Sequence, residues 1–309
     1  MDIKKIIYRC LILIIVGMLG VLSIILILSR DLPSLEQLEN YDPDLVTRIY
    51  SADGKVLNEL FVQKRVFIEL DKIPEHMQYA VVSSEERRFF DHWGLSMRSI
   101  ARAGMINTLS LSYRQGFSTL TQQLARNLFL EKQKKIERKI KEILMALEIE
   151  RKYTKVEILE LYLNEIFLGQ NSYGVTAAAQ TYFNKTLDQL APHEAAFLAA
   201  LPKAPSKFHP VRKKDRLLER RNYVLREMWQ NGYLNEIEYK SELNMPLKSV
   251  QNGDFTSFKS TLPPRDYFTD EIRRQLSRNF GEEEFFTSGM TVRATLDPEM
   301  QSVAAIALQ

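Results

Sequence analysis

The sequence predicts a mainly helical domain that carries a small β-hairpin element and stands behind one N-terminal transmembrane helix. Three observations predict it. Residues Leu11 to Leu28 read LILIIVGMLGVLSIILIL, 18 residues without a charge. Between Val46 and Leu70, β-branched and aromatic residues flank Ser51-Ala52-Asp53-Gly54, a hairpin signal. From Pro74 almost to Tyr239 the pattern is helical.

Composition narrows the function classes. With 309 residues the chain can bury a sizeable core, and 45% hydrophobic with 26% charged residues excludes disordered and collagen-like classes. Forty-two Lys and Arg against 39 Asp and Glu leave +3. Beyond the N-terminal segment the charges nearly cancel, which argues against a nucleic-acid footprint over the body. The single cysteine, Cys10, excludes an intrachain disulfide and any multi-cysteine metal site. His76, His92, His193 and His209 show no metal-ligand spacing.

The apolar run comes first. As a helix it would span roughly 27 Å, close to the hydrocarbon thickness of a bilayer. The competing reading is a secretory signal peptide, which would have a shorter apolar region and a small-x-small cleavage site. SRDLPSLEQLENY follows instead. Lys4, Lys5 and Arg9 precede the run, so the positive-inside rule keeps residues 1–9 cytoplasmic, spans the membrane with 10–29 and sends the body outside. Residues 30–45, with two prolines and several acids, read as a linker.

The helical part follows. Ile136, Ile140, Ile143, Leu144 and Leu147 form one apolar stripe on a long helix. Thr154-Lys155-Val156-Glu157 opens the next helix as a capping box, with Gly169 as its stop. Ala177 to Ala179 and Ala195 to Ala200 suit close-packed helices. After about Asn244 the helical pattern fades into polar, proline-containing sequence.

Three stretches carry chemistry. Ser83 to Gly94 reads SSEERRFFDHWG, with adjacent carboxylates Glu85 and Glu86 among arginines and aromatics, and His92 seven residues after Glu85. In a helix Glu85 and His92 would share a face. Aromatic packing raises a carboxylate's pKa toward what a general base needs, and arginines pull the other way. The plainer alternative is a solvated, charged helix start. Gln115 to Leu130 crowds Ser118, Thr119, Thr121, Gln122, Gln123, Arg126 and Asn127 after a glycine. Thr119, Gln123 and Arg126 at helical spacing would offer donors to a sugar or phosphate. An N-cap followed by an ordinary polar helix fits equally well. Arg138, Lys139 and Glu142 make either an exposed i, i+4 pair or, in a cleft, a phosphate clamp with a carboxylate to orient it.

Taken in order, these stretches resemble the family-51 peptidoglycan glycosyltransferases, the polymerase domain of class A penicillin-binding proteins. The family's Glu-Asp-x-x-Phe-x-x-His-x-Gly element is matched by Glu85, Glu86, Phe89, His92 and Gly94. Its Gly-Gly-Ser-Thr-x-Thr-Gln-Gln-Leu-x-Lys-Asn element is matched by Gly116, Ser118, Thr119, Thr121, Gln122, Gln123, Leu124 and Asn127. Its Arg-Lys-x-x-Glu falls on Arg138, Lys139 and Glu142. A fourth element resembles Lys155, Ile158, Leu159, Tyr162, Leu163, Asn164 and Gly169, and a fifth resembles Arg220, Val224 and Leu225. Three positions depart from the pattern. Glu86 stands where Asp is usual, Phe117 replaces the second glycine, and Arg126 replaces Lys. They bear on full activity rather than on the family.

The resemblance implies a lysozyme-like glycosyltransferase domain over residues 46–245, then a connector over 246–309 leading toward an absent transpeptidase domain. It implies polymerisation of lipid II into glycan strands, with inversion at the anomeric carbon and release of undecaprenyl pyrophosphate. Glu85 would be the general base toward the acceptor hydroxyl. Arg126, Arg138 and Lys139 would neutralise the departing pyrophosphate, alone or with a divalent cation such as magnesium, and Glu142 would orient them. Ser118, Thr119, Gln123 and Asn127 would bind sugar or phosphate oxygens. Glu86, Phe89 and His92 would belong to the substrate-binding set, with Phe89 and His92 shaping the first element rather than doing chemistry. No cofactor is required and no metal ligand is certain. The implied partners are lipid II, the growing strand, membrane lipid and other wall-synthesis proteins, at the inner (cytoplasmic) membrane with the catalytic domain outside. Residues Leu95 to Leu111 could form a flap dipping into the membrane or an ordinary packed helix. The Ser-x-x-Lys and Lys-Thr-Gly elements of a transpeptidase are missing, so neither that activity nor acylation by penicillin is expected. A tethered muramidase and a non-catalytic scaffold are the alternatives, and moenomycin is the expected inhibitor.

Overall fold

The computed structural model describes residues 3–30, 32–33, 44–98, 118–130, 135–262 and 267–307. In chain order come α1 (Ile3–Arg30), β1 (Thr47–Tyr50), β2 (Val56–Leu60), β3 (Lys64–Arg65), α2 (Glu75–Glu85), α3 (Leu120–Ala125), α4 (Lys135–Lys152) and α5 (Lys155–Glu165). Then follow β4 (Ser172–Tyr173), α6 (Gly174–Phe183), α7 (Pro192–Ala200), α8 (Lys214–Gln230), α9 (Glu236–Leu243) and α10 (Phe258–Thr261). The chain closes with α11 (Tyr267–Phe280), α12 (Glu282–Thr287), β5 (Thr291–Arg293) and α13 (Pro298–Ala307). The architecture is mainly helical with a small sheet, as the sequence predicts. Two units divide the chain: Met1–Asn40 with Phe89–Ile158, and Tyr41–Arg88 with Leu159–Gln309.

In the second unit α2, α7 and α8 pack on one another. Helix α7 starts where Pro192 sets the first turn and the Glu194 carboxylate accepts from the Ala191 N–H at 3.0 Å. Its alanines, Ala195, Ala196, Ala199 and Ala200, are fully buried, and small side chains let helix axes approach closely. Met77, Ala80 and Val81 of α2 and Leu217, Val224, Leu225 and Met228 of α8 supply the rest of this core. Burying each large apolar side chain contributes roughly 1.5–3 kcal/mol. The capping box at Thr154 forms as predicted, with Glu157 Oε2 accepting from the Thr154 N–H at 2.7 Å. Helix α5 ends at Glu165, ahead of the glycine expected to stop it. Gly169 lies in the turn that follows, at φ +84.

The hairpin also forms, β1 antiparallel to β2. Its sheet has an unforeseen third member, because β5 pairs parallel to β1 with Arg48 opposite Thr291. Ile49, Leu57 and Leu60 share a core with Phe285, Ala294 and Leu296. The expected fading of helix after Asn244 is therefore corrected. Helices α11, α12 and α13 lie there, and α11 presents Phe268, Ile272 and Leu276 to that core, an i, i+4, i+8 stripe. Interspersed charges such as Arg273 and Arg274 mask this period in the sequence.

The first unit holds α1, α3 and α4. Helix α1 is 28 residues long and exposes Leu11, Ile12, Ile15, Val16, Met18, Leu19, Leu22, Leu26 and Ile27. Among the described residues no helix is long and apolar enough to cross a membrane. The side chains of Leu13, Ile14, Val21, Ile24 and Ile25, which complete the apolar run, lie outside that set. Most of the linker, residues 99–111 of the expected flap, and Gly116 and Phe117 also lie outside it. On α4 the apolar stripe is not the buried face: Ile140, Ile143, Leu144 and Leu147 are half-buried, and the side chain of Ile136 is not described. The buried face carries Lys141, Glu142, Met145, Ala146 and Ile149 instead. Charge is tolerated there because it is paired, Lys141 with Glu137 at 3.1 Å and Glu142 with two cations.

Candidate active site

Glu85 is the last residue of α2. The helix stops because Glu86 turns to φ −155, ψ 81, while its N–H still closes onto Val82 O at 3.0 Å. Neighbouring helices fix this end. Ser84 Oγ donates to Ala199 O at 3.1 Å, and Asn231 Nδ2 donates to Ser83 Oγ at 3.2 Å. The Arg220 guanidinium stands 3.8 Å from Glu85 Oε1, its Nη2 3.5 Å from Ser84 O, and lies over the Tyr223 ring at 4.6 Å. Both members of this pair keep some access to solvent, 13% for the arginine side chain and 12% for the carboxylate. A shared helical face for Glu85 and His92 is ruled out, because α2 ends before the interval is crossed and Phe89–Asp91 form a separate 3-10 turn. Arg87 and Arg88 are exposed.

In the other unit, Phe89 is fully buried and Gly94 adopts φ +91, a conformation that suits glycine alone. A side chain on Gly94 would meet Glu150 Cγ at 2.9 Å and Ala146 O at 3.1 Å. The His92 ring accepts from the Gly94 N–H at 3.2 Å, so it shapes the turn.

The second and third elements meet. Lys139 Nζ donates to Ser118 Oγ at 2.8 Å, to Gln122 Oε1 at 2.9 Å and to Glu142 Oε2 at 2.9 Å. Arg138 Nε lies 3.3 Å from the other Glu142 oxygen, at ion-pair rather than hydrogen-bond geometry. The Glu142 side chain is 3% exposed, against 30% for Arg138 and 29% for Lys139. A buried carboxylate thus holds two cations whose outer sides face solvent, an arrangement suited to an incoming phosphate. Among the described residues no group of three or more acidic, histidine or cysteine side chains could hold a metal ion, and both Glu142 oxygens already face cations.

Thr119 does not share a helical face with Gln123 and Arg126. It is the N-cap of α3, 1% exposed, accepting from the Gln122 N–H and donating to Gly94 O at 2.8 Å. Arg126 and Asn127 open a five-residue π-helical stretch, Arg126–Leu130, which turns them away from α-helical phase. Gln123, Arg126 and Asn127 are half-buried. Residue-type reasoning missed the part played by Gln122 and gave Glu150 no part at all. Glu150 lies eight residues after Glu142 on the same helix, and that period was the available signal.

The transglycosylase family profile matches residues 53–229, more than half of the chain. The chain belongs to the transglycosylase family. Among its relatives, penicillin-binding protein 1A of Aquifex aeolicus is 39% identical over 306 residues, covering 99% of this chain and 41% of that protein. Penicillin-binding protein 1A of Haemophilus influenzae is 44% identical over 262 residues, 85% of this chain and 30% of that one. A crystal structure of the latter shows 31% identity and a TM-score of 0.48, covering 85% of this chain and 28% of the other. This transglycosylase chain thus spans less than half the length of the curated relatives it matches.

Proposed function

We propose that this transglycosylase polymerises lipid II into glycan strands, inverting the anomeric carbon and releasing undecaprenyl pyrophosphate. The observation that carries the proposal is the pair Arg138 and Lys139 held on buried Glu142, with Ser118 and Gln122 completing the cluster. A pyrophosphate leaves as a stable anion and needs charge neutralisation more than a proton, and these two cations supply it. Arg126 adds a third positive charge toward the same leaving group. Glu85 is the general base, taking the proton of the acceptor sugar hydroxyl as that oxygen attacks the donor's anomeric carbon. Arg220 fixes its direction. Glu142 orients the basic pair. His92 and Thr119 act by shaping the turn and capping α3, while Gln123 and Asn127 bind sugar or phosphate oxygens.

The substrate also accounts for the apolar surface. A lipid-linked donor is met at a bilayer, and α1, with its row of exposed leucines and isoleucines, is the anchor that holds a lysozyme-like domain there. Phe90, Trp93 and Met97, all exposed, offer further apolar contact. Lysines and an arginine before the run keep the N-terminus cytoplasmic.

The test uses the detergent-solubilised chain with lipid II and finished glycan offered separately, each with and without moenomycin. Polymer from lipid II, suppressed by moenomycin and lost in Glu85→Gln, is the expected result. Consumption of finished glycan would make the protein a muramidase. Equal polymer from wild type and Glu85→Gln would remove Glu85 from the chemistry, and no polymer from either would leave a scaffold.

A further inference from the structure

We infer that Glu150 is a positioning residue, one that sets the second element against the first so that Ser118 and Gln122 reach Lys139. Four contacts carry this. Thr121 Oγ1 donates to Glu150 Oε1 at 2.5 Å, and Lys155 Nζ donates to the same oxygen at 2.6 Å. Lys155 Nζ also lies 4.5 Å over the ring of Phe89, and Glu150 Cγ lies where a Gly94 side chain would have to go. One carboxylate therefore touches or reaches, through a single partner, residues of the first, second and fourth elements. All of these groups belong to the first unit.

The Glu150 side chain is 6% exposed and Thr121 is fully buried, so neither is placed to touch substrate. The connection to the reacting site runs through α3. Thr121 lies one residue before Gln122, the acceptor of Lys139, and Thr119, two residues before it, is tied to Gly94 O. Fixing Thr121 fixes the depth at which α3 sits on α4, and hence the 2.9 Å contact between Gln122 and Lys139. Lys155 serves as the charge partner that lets a carboxylate stay buried at this junction.

The inference rests on the glycosyltransferase reading for its kinetic arm only. In that arm, kcat and KM for lipid II are measured on the full chain for wild type, Glu150→Gln, Lys155→Met and the double variant, with thermal melts beside each. Glu150→Gln keeps an oxygen for Thr121 and loses the charge for Lys155. We expect kcat/KM to fall about tenfold in each single variant, with the double variant no worse than either, as for one coupled pair. Losses that multiply in the double variant, or that follow the melting temperature, would reduce Glu150 to a stability residue and overturn the inference. A second arm needs no activity. Amide hydrogen exchange in Glu150→Gln should quicken over residues 89–94 and 120–125 and stay unchanged over α8. Exchange unaltered over both segments, or quickened equally over α8, would overturn it. Wild type that makes no polymer would sink the glycosyltransferase reading and leave the exchange arm to decide this one.

Discussion

Two carboxylates of this chain are held in opposite ways. Glu85 closes a helix, its side chain 12% exposed, with a guanidinium 3.8 Å away. Glu142 sits mid-helix, 3% exposed, with a cation at each oxygen. Burial and partners decide their uses. The first is presented to whatever arrives, whereas the second is neutralised in place and passes its orientation to Arg138 and Lys139. On the proposed reading, the same residue type is a reagent at one point and a bracket at another.

The largest test of that contrast is Glu85→Gln. Loss of a general base should slow polymerisation roughly a thousandfold, with the melting temperature unchanged, as lipid II assays and thermal melts would read. A matching loss of stability would mean Glu85 is a bracket too. Glu142→Gln should behave in reverse order, with stability falling first. Breaking a fully buried pair costs about 3–5 kcal/mol, and because its cations are nearly a third exposed we expect about 1–3 kcal/mol here. Urea unfolding measures it, and an unchanged midpoint would break the contrast. Gly94→Ala isolates the backbone of the first element from its carboxylates. Positive φ and the Ala146 carbonyl together should cost about 1–2 kcal/mol, again by urea unfolding. The smallest effect is expected at the hairpin turn. There the Lys55 ammonium and the Ser51 hydroxyl hold the Asp53 carboxyl down to about 2, below its unfolded value. Its contribution is therefore present above the ordinary carboxylate range and lost as pH falls toward about 2. Asp53→Asn should flatten the acid limb of a stability-versus-pH curve there and leave polymerisation untouched.

Much of this was legible in the residues. The hairpin announced itself through Asp53-Gly54, the capping box through Thr154 and Glu157, and the close-packed helix through its alanines. Arg138, Lys139 and Glu142 meet as their spacing implied, because i, i+3 and i, i+4 neighbours need nothing but a helix. Other features depend on partners far along the chain. The buried face of α4 could not be read from apolar periodicity, since its Lys141 and Glu142 are buried by pairing rather than by hydrophobicity. The end of α2 at Glu85 has no Gly or Pro to mark it; a bond from Ser84 to Ala199, 115 residues away, helps to fix it. Glu150 stayed hidden because its partners Thr121 and Lys155 lie on other elements.

The parallel pairing of β5 with β1 has a consequence for biosynthesis. Thr47 accepts from the backbone of Met290, 243 residues later, so the outer edge of the first hairpin stays open while the intervening residues are being made. An unpaired edge is an invitation to neighbouring chains. A segment made that much later is the one that shuts it, and a nascent polypeptide stalled short of Thr291 carries that sticky border exposed.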